Sequence, residues 1–292
     1  MRIKPSLWAL IAGVAIFVTT PAGAVPFFST GDPNGLMATA SRPSSSGTFE
    51  IESADDFALT SQTLLTQATF TGLLTGTSPT VGEVVVEIYR VFPADSTVAR
   101  TSGPPTFSTP QVPTRVNSPS DVAFATRDSA AAGELSFTIA ILSPTFTALN
   151  SVQAGGIHPL PSPTTGGNGP VTGEEVRFDV TFATPFALPA GHYFFIPQVE
   201  VTNGDFMWLS APRPIVAPGT PFPPGVTDLQ SWTRDQFLDP DWLRVGGDIV
   251  GGTTFNAAFS LTGSTVPEPS TLLLLASGLA GLGGIAWRRH RK

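Results

Sequence analysis

Val176-Arg177-Phe178-Asp179-Val180-Thr181-Phe182 alternates apolar and polar side chains without a break. Successive side chains of a strand point to opposite faces, so this heptad reads as a strand with one buried face and one wet one. The same period of two recurs at Leu135, Phe137, Ile139 and Ile141, and again at Phe255, Ala257, Phe259 and Leu261. Val84, Val86 and Ile88 interleave with Val85, Glu87 and Tyr89, which predicts a strand covered in part on its second face. Further strands are expected at Thr48–Ile51, Leu64–Leu74, Val122–Thr126, His192–Val201 and Phe206–Ser210. About nine or ten short strands at this spacing predict an all-β fold, a β-sandwich of the jelly-roll or fibronectin kind.

Composition agrees. The 292 residues include 29 Gly and 29 Pro, whose load breaks helical ladders and favours turns. Hydrophobic residues make up 41% and include 21 Phe, enough to build a sizeable core. Three stretches, Ser102–Ser120, Gly155–Gly173 and Ala211–Gly225, are rich in Pro or Gly and read as long surface loops. No repeat follows them, so residues 25–266 are expected to form one domain; two smaller sandwiches divided near Gly155–Gly173 are the alternative. Cysteine is absent, which removes disulfide scaffolds, thiolate metal sites and cysteine nucleophiles. Between Val25 and Val266 nine Arg face 21 Asp and Glu, a net charge of −12. A body so acidic repels phosphate backbones, so no nucleic-acid partner is expected.

The two ends read as targeting segments. Arg2 and Lys4 precede the apolar run Leu7–Val18, and Ala22-Gly23-Ala24 offers the small residues that a signal peptidase requires. Twelve residues reach only ~18 Å against a ~30 Å hydrocarbon core, so residues 1–24 read as a cleaved signal peptide and not as an anchor. Ser270–Trp287 carries no charge over 18 residues and is followed by Arg288, Arg289, His290, Arg291 and Lys292. A transmembrane helix is expected over 271–287, with Arg288, Arg289, Arg291 and Lys292 as a cytoplasmic basic anchor.

Pro267-Glu268-Pro269, placed immediately before that helix and its basic tail, resembles the PEP-CTERM sorting signal of exported proteins of Gram-negative bacteria. The resemblance covers residues 267–292. It implies handling by an exosortase-type membrane enzyme, passage through the inner membrane, and association with exopolysaccharide or biofilm at the cell surface. Leu188-Pro189-Ala190-Gly191-His192-Tyr193 resembles the tyrosine corner of fibronectin type III-like sandwiches, which implies that the Tyr193 hydroxyl bonds back to the backbone where the chain crosses between sheets.

Catalytic signals are sparse. His158 and His192 have no metal-ligand spacing around them and no Gly-x-Ser-x-Gly elbow exists, so no cofactor, metal or enzymatic activity is expected. Asp55-Asp56 reads as a strand-edge turn, and Glu174-Glu175 as a solvated strand start. The densest constellation is Asp228–Asp248, which reads as an Asp-Pro-Asp turn with surface Arg–Asp pairs; Asp239 and Asp241 could offer carboxylates to Ca²⁺, but the spacing is not that of an EF-hand. Trp232 and Trp242 beside Asp239 and Asp241 form the candidate sugar-binding set, with core packing as the competing role for both rings. Three function classes follow: a secreted, non-catalytic matrix or envelope protein, a carbohydrate-binding module, and, least supported, an extracellular hydrolase.

Overall fold

The computed structural model describes residues 25–266, apart from 46, 97–115, 132, 158–163 and 213–221. The signal peptide, His158, the Pro267-Glu268-Pro269 motif, the helix at 271–287 and the basic tail lie outside the described residues. Among the described residues no helix is long and apolar enough to cross a membrane.

Fifteen strands are described, ten of them four residues or longer. They begin with β1 (Phe28–Ser29), β2 (Ala38–Ala40), β3 (Ile51–Leu59), β4 (Thr63–Leu74) and β5 (Thr80–Arg90). Next come β6 (Ala125–Asp128), β7 (Leu135–Ala148), β8 (Ser151–Val152), β9 (Val171–Leu188) and β10 (Gly191–Thr202). The series closes with β11 (Phe206–Ala211), β12 (Trp232–Asp235), β13 (Leu243–Arg244), β14 (Asn256–Ala257) and β15 (Phe259–Thr265). The fold is all-β and consists of two sheets. The six-stranded sheet runs β13-β12-β3-β10-β5-β6. In the nine-stranded sheet β4 is central, with β9 and then β7 on one side and β15 and β11 sharing the other.

The heptad that predicted the fold sits in the middle of β9. Val176 and Phe178 are fully buried and Val180 and Phe182 nearly so, whereas Arg177 and Thr181 are exposed. The apolar face packs across the sandwich against Phe57, Val84, Val86, Ile88 and Phe195 of the other sheet. Phe70 stacks on Phe178 at 4.9 Å between ring centroids, and Phe195 stacks on Phe259 at 5.2 Å across the two sheets. Each buried Phe stabilises by about 1.5–3 kcal/mol, and such ring pairs add roughly 0.5–1.5 kcal/mol.

β9 crosses from one sheet to the other through the predicted corner. The Tyr193 hydroxyl donates to the Pro189 carbonyl at 3.0 Å, closing the turn between β9 and β10. A side chain at Gly191 would place its Cβ 3.1 Å from the Tyr193 ring, so glycine lets the ring lie flat against the turn.

Three expectations are corrected. Asp55 and Asp56 are not in a strand-edge turn; they lie within β3, buried at 0% and 1% exposure, where Asp55 Oδ2 accepts the Ala257 N–H and Asp56 pairs with His192 and accepts the Leu229 N–H. β7 alternates as predicted, yet Ile139 and Ile141 are exposed. As the outermost strand beside β9, it carries them past the core that Leu135 reaches. The strand expected over Thr48–Ile51 begins only at Ile51 and runs on to Leu59, a stretch in which Glu52, Asp55 and Asp56 hide the period of two.

Tyr193→Phe keeps the ring and removes only the corner bond. It is expected to lower unfolding stability by about 0.5–1.5 kcal/mol, read by urea denaturation, with the β-rich circular dichroism spectrum unchanged.

Candidate functional site

The Asp228–Asp248 segment folds over the outer face of the six-stranded sheet. β12 pairs with β3 so that Trp232 lies opposite Ala54 and Arg234 opposite Glu52. Strand parity then brings Glu52 of β3, Glu87 and Tyr89 of β5, Gln198 of β10 and Arg234 of β12 onto one surface. Trp232 and Trp242 pack beneath the same segment with Ala54, Tyr89, Phe194, Ile196 and Leu229.

Arg234 is the centre of this surface. Its side chain is only 5% exposed. Nε pairs with Glu52, Nη2 donates to the Tyr89 hydroxyl oxygen at 2.9 Å, and Nη1 donates to Asp239 Oδ1 at 2.6 Å. The guanidinium also lies 4.3 Å from the centroid of the Trp242 ring, a desolvated cation–π contact. Burial by itself would depress the Arg234 pKa, but Glu52, Tyr89 and Asp239 hold it above its ordinary value. The Arg–Asp pairing read from the sequence is therefore real at Arg234–Asp239, but the arginine is interior and not at the surface.

Acid surrounds this cation. The Tyr89 hydroxyl donates to Glu52 Oε1 at 2.7 Å, and Gln198 Nε2 donates to Glu50 Oε1 at 3.0 Å. Thr126 Oγ1 donates to Glu87 Oε1 at 3.0 Å. Burial, followed by repulsion from Glu52, pushes the Glu87 carboxyl up to about 8, so it keeps its proton at neutral pH and stands within hydrogen-bonding reach of Glu52. A protonated carboxyl beside a second carboxyl is the raw material of acid–base hydrolysis. Here Glu52 is 4% exposed and already bonded to Arg234 and Tyr89, which keeps substrate atoms away from it.

The sugar-stacking surface expected of Trp232 and Trp242 is absent. Both rings are buried, at 1% and 0% exposure, because apolar rings on this face are covered by the chain itself. Their indole N–H groups are used internally: Trp232 Nε1 donates to Leu229 O at 3.1 Å and Trp242 Nε1 to Ser120 O at 3.0 Å. Asp241 is buried, and Asp239 is turned towards Arg234 instead of towards a shared ion with Asp241. Among the described residues no group of three His, Cys, Asp or Glu side chains is placed to hold a metal ion. His192 pairs with Asp56 at 2.5 Å, and Asp56 also accepts the Leu229 N–H at 3.1 Å.

Sequence reading missed Glu52, Glu87, Tyr89 and Arg234 as a set. One signal pointed to them: Glu87 and Tyr89 share a face of a strand whose other face is wholly apolar. A second site was also missed. On the outer face of the nine-stranded sheet an open cavity of about 360 Å³ is lined by Asp32, Thr69, Thr71, Arg177, Asp179 and Ser260, among others. Arg177 and Asp179 form a two-point ion pair there at 2.9 and 3.0 Å.

Glu87 supplies a pH test. Its folded pKa of about 8 exceeds the ordinary 4.5, so the folded state holds the proton more tightly and unfolding releases it. Stability contributed by the protonated form is complete below about 4.5 and is lost as pH rises through about 8. Glu87→Gln, uncharged throughout, is expected to flatten the fall in melting temperature between pH 5 and 9 and to melt above the native chain at pH 9.

A family model described as the PEP-CTERM protein-sorting motif matches residues 265–292. No curated protein matches the chain, and no solved structure matches it. The matched segment starts where β15 stops, at Thr265, so the folded body passes directly into the motif. The chain thus carries a PEP-CTERM sorting motif, the mark of an exported protein sorted in an exosortase-dependent way.

Proposed function

We propose that this is a non-catalytic protein of the cell envelope or extracellular matrix, released from the inner membrane by an exosortase-type enzyme and retained by exopolysaccharide. The motif at residues 265–292 carries this reading. The body supports it in two ways. First, the acids, aromatics and arginine that might have formed a reactive centre are spent on one another inside the fold. Second, β1 pairs antiparallel with β15, so Val25 and Val266 leave the sandwich at the same end. A membrane helix after Val266 would then hold the body by the same end from which the cleaved signal peptide leads it through the membrane.

In a host with an exosortase, replacing Pro267, Glu268 and Pro269 together with alanine is expected to leave export intact and trap full-length protein in the inner membrane. Normal mass and normal release of this variant would make Pro-Glu-Pro a hinge and the helix a plain anchor.

The second reading, a carbohydrate-binding body, is favoured by the open cavity on the nine-stranded sheet. Its hydroxyls and the Arg177–Asp179 pair offer donors and acceptors of the kind that bond sugar hydroxyls. These two side chains are partly exposed, so their removal costs little stability. If the cavity holds polysaccharide, an Arg177→Ala/Asp179→Ala double variant is expected to lose at least tenfold in retention on host exopolysaccharide. Unchanged retention would remove the cavity from the binding surface.

A further inference from the structure

Among the described residues four buried side-chain oxygens have no hydrogen-bond partner: Asp55 Oδ1, Gln230 Oε1, Ser231 Oγ and Asn256 Oδ1. All four belong to one seam, where β3, the chain entering β12 and β14 meet. The Ala257 N–H donates to Asp55 Oδ2 at 2.6 Å, which sets the Asp55 carboxylate beside β14. The Ser231 N–H donates to the Phe255 carbonyl at 2.7 Å, which binds the approach to β12 to the same segment. Ser231 and Asn256 line a shared cavity of about 10 Å³, room for a single water-sized body.

The orientation of these oxygens is held from behind. Asp228 accepts the Asn256 amide N–H on Oδ2 at 2.9 Å and the Gln230 backbone N–H on Oδ1 at 3.1 Å. A carboxylate only accepts, so the Asn256 amide nitrogen must face Asp228 and its oxygen must face away. Gln230 is held with φ at +62°, in the left-handed region that a residue with a side chain seldom occupies. Three of the four atoms are pure acceptors, and the fourth is a hydroxyl with one proton to give.

We propose that this seam binds a hard, oxygen-seeking metal cation, with Asp55 Oδ1, Asn256 Oδ1, Ser231 Oγ and Gln230 Oε1 as protein ligands and Asp228 as a positioning residue. Oxygen donors alone, mixed between one carboxylate and neutral groups, match the preference of Ca²⁺ and exclude thiolate-seeking metals. One direct carboxylate with neutral oxygens places the affinity at the weak end, about 0.1–1 mM, the range of extracellular modules. The site is separate from Asp239 and Asp241, where Arg234 already supplies the positive charge.

The competing occupant is one water molecule beside a protonated Asp55. Full-length protein in detergent, stripped with a chelator, separates the two. Trp208 lines the same cavity, so excitation of tryptophan is expected to sensitise Tb³⁺ luminescence that saturates and is displaced by Ca²⁺. Melting temperature is expected to rise with Ca²⁺ over about 0.1–1 mM. Asp55→Asn preserves shape and removes the charge; it is expected to weaken both responses at least tenfold, and Ser231→Ala to weaken them less. Absence of a Ca²⁺ shift in the native chain overturns the proposal whatever the variants do. A full response in folded Asp55→Asn also overturns it, by assigning the ion to the acidic surface.

Discussion

A single buried guanidinium sets the terms for the outer face of the six-stranded sheet. Arg234 cannot lose its proton and sits almost out of reach of water, so the fold must bring charge and acceptors to it. These come from separate stretches of chain: Glu52 from β3, Tyr89 from β5, Asp239 from the following turn and Trp242 from beyond it. Satisfying one ion therefore requires three strands and a turn to be in register. Removing one partner of such a group costs about 3–5 kcal/mol, a large part of the roughly 5–15 kcal/mol that holds a domain together. Burial, and after it the charge of Glu52, holds a proton on Glu87 beside this cluster.

The inner core obeys a simpler rule. Its phenylalanines need only area and shape, and the stacked pairs Phe70–Phe178 and Phe195–Phe259 supply both within and between sheets. Packing of this kind tolerates variation in partner identity more readily than the Arg234 cluster does. The sandwich is thus apolar and permissive between its sheets, and polar and exacting on one outer face.

This division bears on function. Glu52, Tyr89 and Arg234 are committed to one another and to holding covering segments in place, while the open cavity of the other sheet is lined by accessible polar groups. The sorting motif follows β15 without a described element between them. Chemistry that places the protein in the cell is carried by a short linear segment, and the fold supplies what is delivered.

Alternation in β5, β9 and β15 was legible from residue order alone, because a period of two needs no knowledge of partners. So was the corner at Leu188–Tyr193, whose hydrogen bond spans only four residues. The sorting motif was legible for the same reason: its recognition is local. β3 was not, because Glu52, Asp55 and Asp56 look solvated until Arg234, Ala257 and His192 arrive from 130 or more residues away. The tryptophans present the same difficulty. Their neighbours in sequence are Asp and Arg, which suggested a wet surface, yet their neighbours in space are Tyr89, Phe194 and Ile196. Local periodicity and short motifs are properties of the chain. Whether a charge is buried, and what pays its desolvation, is decided only when distant strands pair.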